Sequence, residues 1–223
     1  MADRPIIFSA PMIRALLDGR KTQTRRIIKP SPEFCGGGRS RDPQNWNDPD
    51  AWGWENYDEG CWDLLSEGYT GRPFYAPGDR LWVRECWRTA SAYDDLSPSQ
   101  MGGEEPIRYE ADQTWQTWGW GRPHSTGRHR AARHMPRWAS RLTLLVTDVR
   151  VQRLQEISAE DVTAEGIPFE SDALAPYEFS VSRFADLWNS IHGPDAWDAN
   201  PWVAAISFTV HRCNIDTMEE GTW

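Results

Sequence analysis

The chain has 223 residues, 39% of them hydrophobic, and a formal net charge of −9. That length and composition suit one globular domain with large insertions, and no apolar run approaches the roughly 18 residues of a membrane helix. The acidic balance argues against a protein that coats nucleic acid through bulk charge, and "MADRPIIFSAP" is too short an apolar stretch for a secretory leader, so the expectation is a cytoplasmic protein without a membrane partner.

Charge is unevenly spread. Residues 1–41 carry nine Lys or Arg against three acids, 42–70 carry eight acids and no Lys or Arg, and 121–141 carry six Arg and no acid. Two basic islands in an acidic chain suit a local anionic or polar ligand better than a long polyanion track. Cys35, Cys61, Cys86 and Cys213 show no C-x-x-C pair, which predicts reduced thiols and no zinc knuckle.

In chain order, a strand is predicted from Pro5 to Ser9 and a helix from Pro11 to Asp18, with Met12, Ala15 and Leu16 at helical spacing and Gly19 as the stop. A second strand spans Thr24 to Ile28 and ends before Pro30. Residues 31–75 lack sustained periodicity but hold Trp46, Trp52, Trp54, Tyr57 and Trp62, so they read as an insertion packed on the body. "PGDRLWVRECW" gives a Gly-Asp turn, with Asp79 as turn former, then a strand whose alternation puts Glu85 with Leu81, Val83 and Trp87.

A second insertion covers 89–136, with a short strand at 107–111. Its His124, His129 and His134 are five apart, which does not align them on a helix face, so no metal site is expected. With Arg122, Arg128, Arg130 and Arg133 they form a basic loop, either solvated or touching phosphate. A long strand follows at 137–154. Ser158 and Asp161 suggest a reciprocal capping box on a short helix closing near Gly166. The next helix carries an apolar stripe of Phe179, Phe184, Leu187, Trp188 and Ile191, and a strand at 202–212 completes the core. Trp82, Trp138, Trp188 and Trp202 read as core. Trp52, Trp54, Trp118 and Trp120 either anchor the insertions or stack on bases.

This order predicts an α+β fold with a small mixed sheet curled into a barrel, a few short helices and two long aromatic-rich insertions. "LLDGRKTQTRR", "PGDRLWVRE", "SAEDVTAEGI" and the strand "WVAAISF", in that order, resemble the ASCH-domain family, and more closely the ASCH-type proteins of bacteriophage and prophage genomes. The resemblance covers both ends of the chain. It implies a single domain over 1–223 with a PUA-like β-barrel.

The family includes RNA-binding PUA-like modules, members implicated in ribonuclease activity, and small amidohydrolases acting on N4-acetylcytidine, a free nucleoside, without cofactor or metal. Those hydrolases use the lysine and second threonine of a Gly-Arg-Lys-Thr-x-Thr segment and a glutamate from the helix after the long strand. Carried over residue by residue, these are Lys21, Thr24 and Glu165. Arg20, Arg25, Arg26 and Glu85 are the expected substrate-binding residues, with a paired structural glutamate as the other reading of Glu85.

Two mechanisms remain open at this level. Either Thr24 attacks the amide carbonyl with a neutral Lys21 as base, or Glu165 activates water while Lys21 and Thr24 stabilise the oxyanion. The three arginines would favour neutral Lys21 by repulsion and Glu165 would oppose it. The rival reading is an RNA- or DNA-binding module without chemistry, with a ribonuclease behind it. On a regular strand Lys21 and Thr24 point to opposite faces, so convergence requires the chain to turn after Gly19.

Overall fold

The computed structural model describes residues 2–28, 53–56, 61–64, 75–119, 121–167 and 176–218, with backbone alone at 53–56, 61–64 and 176–179. The chain divides into two compact units. The first comprises Met1–Thr22, Gly78–Val146 and Phe208–Trp223, and the second comprises Gln23–Pro77 and Thr147–Ser207.

In the first unit, β1 (Asp3–Ile7) leads through Ser9 into α1 (Ala10–Leu17). Pro11 occupies the first turn, where a missing N–H costs nothing, and Ile13, Ala15 and Leu16 form the buried face. Gly19, at φ 73°, ends the helix. Its N–H reaches the Leu16 carbonyl and that of Arg20 the Ala15 carbonyl, a stop that needs the left-handed conformation glycine adopts without strain.

Strand β1 runs parallel to β5 (Arg80–Arg84), with Ile6 opposite Val83, and β5 pairs antiparallel with the first residues of a long strand, Thr143–Arg153. The Asp79 carboxylate accepts from the Ala2 N–H at 2.7 Å and pairs with Arg4, so it pins the start of β1 in addition to shaping the Gly-Asp turn. The insertion at 89–136 adds β7 (Ile107–Tyr109) and β8 (Trp115–Gln116) to β6 (Trp87–Arg88) in a separate three-stranded sheet, and Trp87, Met101, Ile107, Tyr109, Met135 and Ala139 form a small core. The strand expected from 137 starts only at 143, because residues 137–139 make a 3-10 turn after Pro136 and the buried Ser140 hydroxyl bonds the Val83 carbonyl.

In the second unit, β2 (Gln23–Ile27) pairs antiparallel with residues of a strand spanning Trp202–His211, Thr24 opposite Ile206. The hairpin of Gly53–Asn56 and Cys61–Leu64 belongs to the first insertion. Helices Ala159–Ala164 and Pro176–His192 pack over a core of Leu154, Ile157, Val162, Ile167, Phe184, Trp188 and Val203. The expected stripe holds at Phe184 and Trp188 but breaks at Ile191, which is 52% exposed, while the Phe179 side chain lies outside the described residues. In chain order the remaining labels are β3 (Gly53–Asn56), β4 (Cys61–Leu64), β9 (Thr143–Arg153), β10 (Trp202–His211), α2 (Ala159–Ala164) and α3 (Pro176–His192).

Five strands hydrogen-bond in the order β1-β5-β9-β10-β2. The class is α+β, as the periodicities predict. Among the described residues no pairing of β1 with β2 closes the order into a barrel. No described helix is long and apolar enough to cross a membrane.

Candidate functional site

The segment after α1 leaves the helix by a turn, with the Lys21 N–H also bonded to the Ala15 carbonyl and the Thr22 carbonyl accepting from Phe208. Lys21 is 0% exposed, its ammonium 5.6 Å from the Phe8 ring centroid. Lysine is almost never fully buried without a specific reason, since burial opposes its charged form. Arg20, by contrast, is exposed and pairs with Asp18 at 2.8 Å. The division between the units falls after Thr22, so Lys21 belongs to the first and Thr24 and Glu165 to the second.

Within the second unit, β2 carries Gln23, Thr24 and Arg25, all buried. Thr24 is 1% exposed, its strand being covered on both faces. The Arg25 side chain is fully buried and its guanidinium is spent on three acceptors. One terminal nitrogen donates to Gln23 at 2.7 Å and to Glu165 at 3.1 Å, and the other donates to Asp161 at 2.7 Å. Its Nε makes no hydrogen bond, and the guanidinium carbon lies 5.8 Å from the Phe184 ring centroid.

The two carboxylates are delivered by α2 and its end. Ser158 caps the helix by accepting from the Asp161 N–H at 3.2 Å. The reciprocal half of the expected capping box is not made, because the Asp161 carboxylate turns to Arg25 and, through its other oxygen, to Arg150 at 2.8 Å. A buried arginine outcompetes an amide at a helix start because an ion pair with short N–H···O bonds is the stronger contact. Burial pushes the Asp161 carboxyl up, but the Arg150 hydrogen bond and the charge of Arg25 outweigh it and hold it below the ordinary aspartate value. Helix α2 stops at Glu165, and Gly166 follows at φ 90°. Glu165, 6% exposed, is thereby fixed at a helix terminus with its carboxylate against Arg25.

Arg26 is half-buried. Burial pulls its guanidinium down from the ordinary value while the charges of Tyr75 and Glu165 pull it up, and an arginine stays a cation throughout.

Glu85 sits in the first unit, where Arg141 grips both its oxygens at 2.8 and 3.0 Å. Arg141 also pairs with Asp112 at 2.8 Å and stacks 3.9 Å from the Tyr109 ring centroid. Burial pushes the Glu85 carboxyl above the ordinary glutamate value in spite of Arg141. Of the two roles open to it from sequence, the geometry displays the paired structural glutamate.

His124, His129 and His134 are exposed, and among the described residues no group of three His, Cys, Asp or Glu could hold a metal ion. Trp118 packs edge-on against Trp138 at 5.7 Å, an anchoring contact; the side chains of Trp52, Trp54 and Trp120 lie outside the described residues. Trp82 and Trp188 are buried, whereas Trp138 and Trp202 are half-buried.

Sequence reasoning does not find Gln23 and Asp161 as partners of Arg25, Arg150 as partner of Asp161, or Arg141 as partner of Glu85. Arg25 and Asp161 stand 136 residues apart, and the only local signal at Asp161 is a capping pattern that points elsewhere. Compared with known protein families, curated proteins and solved structures, the chain has no match.

Proposed function

We propose that the protein is an ASCH-type amidohydrolase of PUA-like architecture that removes an acyl group from N4-acylated cytidine or a related modified pyrimidine nucleoside. The observation that carries this reading is burial. Lys21, Thr24 and Glu165, the residues to which the family resemblance points, are 0%, 1% and 6% exposed. Groups of these types normally face water, and withdrawing them from it is how sites tune proton affinity and exclude competing hydrolysis.

The reaction asked of them is amide hydrolysis. The Thr24 oxygen forms a bond to the acyl carbon, Lys21 takes the hydroxyl proton, and the carbon–N4 bond breaks as a proton passes to the leaving amine. Water then hydrolyses the acyl ester, releasing carboxylic acid and restoring threonine. Glu165, held by Arg25, orients the substrate or relays the proton. Arg25 acts in this scheme through Glu165, both of its terminal nitrogens being engaged within the protein.

The test is hydrolysis of N4-acetylcytidine and a panel of longer N4-acyl cytidines, followed by chromatography of released cytidine. Wild type releases cytidine, and Lys21→Ala, Thr24→Ala and Glu165→Gln each lower the rate by about a hundredfold or more while circular dichroism shows the fold intact. No release across the panel overturns the reading. A Thr24→Ala variant that keeps near-normal rate overturns the covalent route and leaves water activated by Glu165.

A further inference from the structure

Apart from Arg14, Arg84 and Arg212, which donate to the backbone carbonyls of Ala111, Arg133 and Leu17, the arginines of the first unit fall into two groups. Arg4, Arg20, Arg80, Arg88, Arg108, Arg137 and Arg141 each form an ion pair with a carboxylate. Arg122, Arg128, Arg130 and Arg133 form none among the described residues, although they lie within twelve positions of one another. They sit in the stretch 113–147, which holds six arginines, three histidines and no acid. In a chain of net charge −9, which has carboxylates to spare, a cluster left without them is the exception.

Two cations lie within or beside this cluster and are also uncompensated. Arg130 is 5% exposed. It donates to the Tyr93 carbonyl and lies 5.3 Å from the Trp87 ring centroid, with its Nε unpartnered. Arg84 donates to the Arg133 carbonyl and lies 4.2 Å from the Trp82 ring centroid, again with an unpartnered Nε. Neither has a carboxylate within ion-pair distance among the described residues. Withdrawing an arginine from water without a countercharge is unfavourable, and burial pulls both guanidinium groups down from their ordinary values.

The loop that carries the exposed members is fixed. Gly127 donates to the Thr89 carbonyl at 2.8 Å, its own carbonyl accepts from Arg88 at 2.9 Å, and it lies so close to Ala90 and Asp94 that no side chain fits there. Asp94 is the carboxylate that faces the loop, and it accepts from the Arg128 N–H, not from a guanidinium. Arg122, Arg128 and Arg133 are thus exposed on an ordered scaffold, with His124, His129 and His134 exposed between them.

We propose that loop 121–134 is a nucleic-acid contact that holds a strand through its phosphates. Arginine binds phosphate oxygens through two parallel donors, and a missing countercharge is what a phosphodiester supplies. Between Gly121 and His134 the loop has no large apolar side chain to insert into lipid, which sets a membrane surface aside. The surface is separate from the hydrolase reading and does not depend on it.

Three phosphate contacts on a single strand give a slope of about −2 for log K against log salt, hence about a twentyfold loss of affinity from about 50 to about 200 mM salt. The experiment measures fluorescence anisotropy of a labelled oligothymidylate with the full chain across that range. The triple variant Arg122→Gln/Arg128→Gln/Arg133→Gln is expected to bind at least tenfold more weakly with a slope near zero, while the corresponding triple Lys variant keeps the slope. All three side chains are exposed, so the thermal midpoint of both variants should match wild type. Wild-type affinity and slope in the Gln variant overturn the proposal. So does no binding by wild type at low salt, or binding to phosphatidylserine vesicles alone.

Discussion

Removing the Arg25 guanidinium tests the centre of the second unit. Arg25→Met keeps most of the side-chain volume against Phe184 but takes away the cation that lies between Asp161 and Glu165. Asp161 retains Arg150 at 2.8 Å, so Glu165 is the carboxylate that loses the ion pair described here. Breaking a buried pair by removing one partner costs about 3–5 kcal/mol, a large part of the roughly 5–15 kcal/mol that holds a typical domain. Urea unfolding followed by tryptophan fluorescence, extrapolated to water, measures the loss.

Acid narrows it. Wild-type Asp161 is held below its ordinary value partly by Arg25, and the stability this contributes is present above that ordinary value and lost as the pH falls through the lowered one. The gap between wild type and Arg25→Met should therefore shrink as the pH drops below about 4. Adding Glu165→Gln to Arg25→Met should recover part of the loss at neutral pH, because the buried charge left behind is gone. A loss under about 1 kcal/mol for Arg25→Met, with no effect of the second substitution, would refute the reasoning.

Two further outcomes follow from the first unit. In Gly127→Ala, an added Cβ lies 2.4 Å from the Asp94 carboxylate and 3.0 Å from the Ala90 carbonyl oxygen. The Ala90 oxygen is backbone and cannot swing aside, so the variant should lose about 1–3 kcal/mol in urea unfolding, and a wild-type midpoint would show that the loop yields. Glu85→Gln should cost most in acid and least near neutrality. Burial raises the folded-state value of Glu85, so wild type loses stability as the pH rises through the carboxylate range and the glutamine variant does not. Urea midpoints at about pH 4.5 and about pH 7.5 compare the two, and a penalty that grows with pH contradicts the assignment.

Elements with strong periodicity were legible in the sequence. Helix α1, strands β2, β5 and β10, and the two helices of the second unit lie within a few residues of their expected positions, because apolar spacing, Pro11, Gly19 and Gly166 act locally. The sheet of β6, β7 and β8 was legible only at 107–109, since strands of two or three residues are too short to show a period. Polar partners were the least accessible. Arg25 looked like a ligand-facing residue of a basic segment, and only three-dimensional pairing with Asp161 and Glu165 reveals where its donors go. Ser158 caps the helix as its pattern predicts, yet the second half of that motif gives way to Arg25 and Arg150, contacts invisible in a four-residue window.

The choice between arginine and lysine bears on what the segment "GRKTQTRR" does. Of 24 basic residues 22 are arginine, and the structure shows the use made of them: Arg25, Arg137 and Arg141 each hold two carboxylates, as a planar fork of donors can. A chain that builds ion pairs so consistently from arginine has no structural need of lysine for the same task. Lys21 nevertheless stands in the middle of "GRKTQTRR" and is completely buried. What lysine adds there is a proton it can give up, which arginine effectively cannot. Lys21→Arg therefore separates a structural cation from a proton acceptor. Under the proposed hydrolase function the ε-amine takes the Thr24 proton, so Lys21→Arg is expected to lose release of cytidine from N4-acetylcytidine with the fold intact, and a variant that keeps it would show that a fixed positive charge suffices.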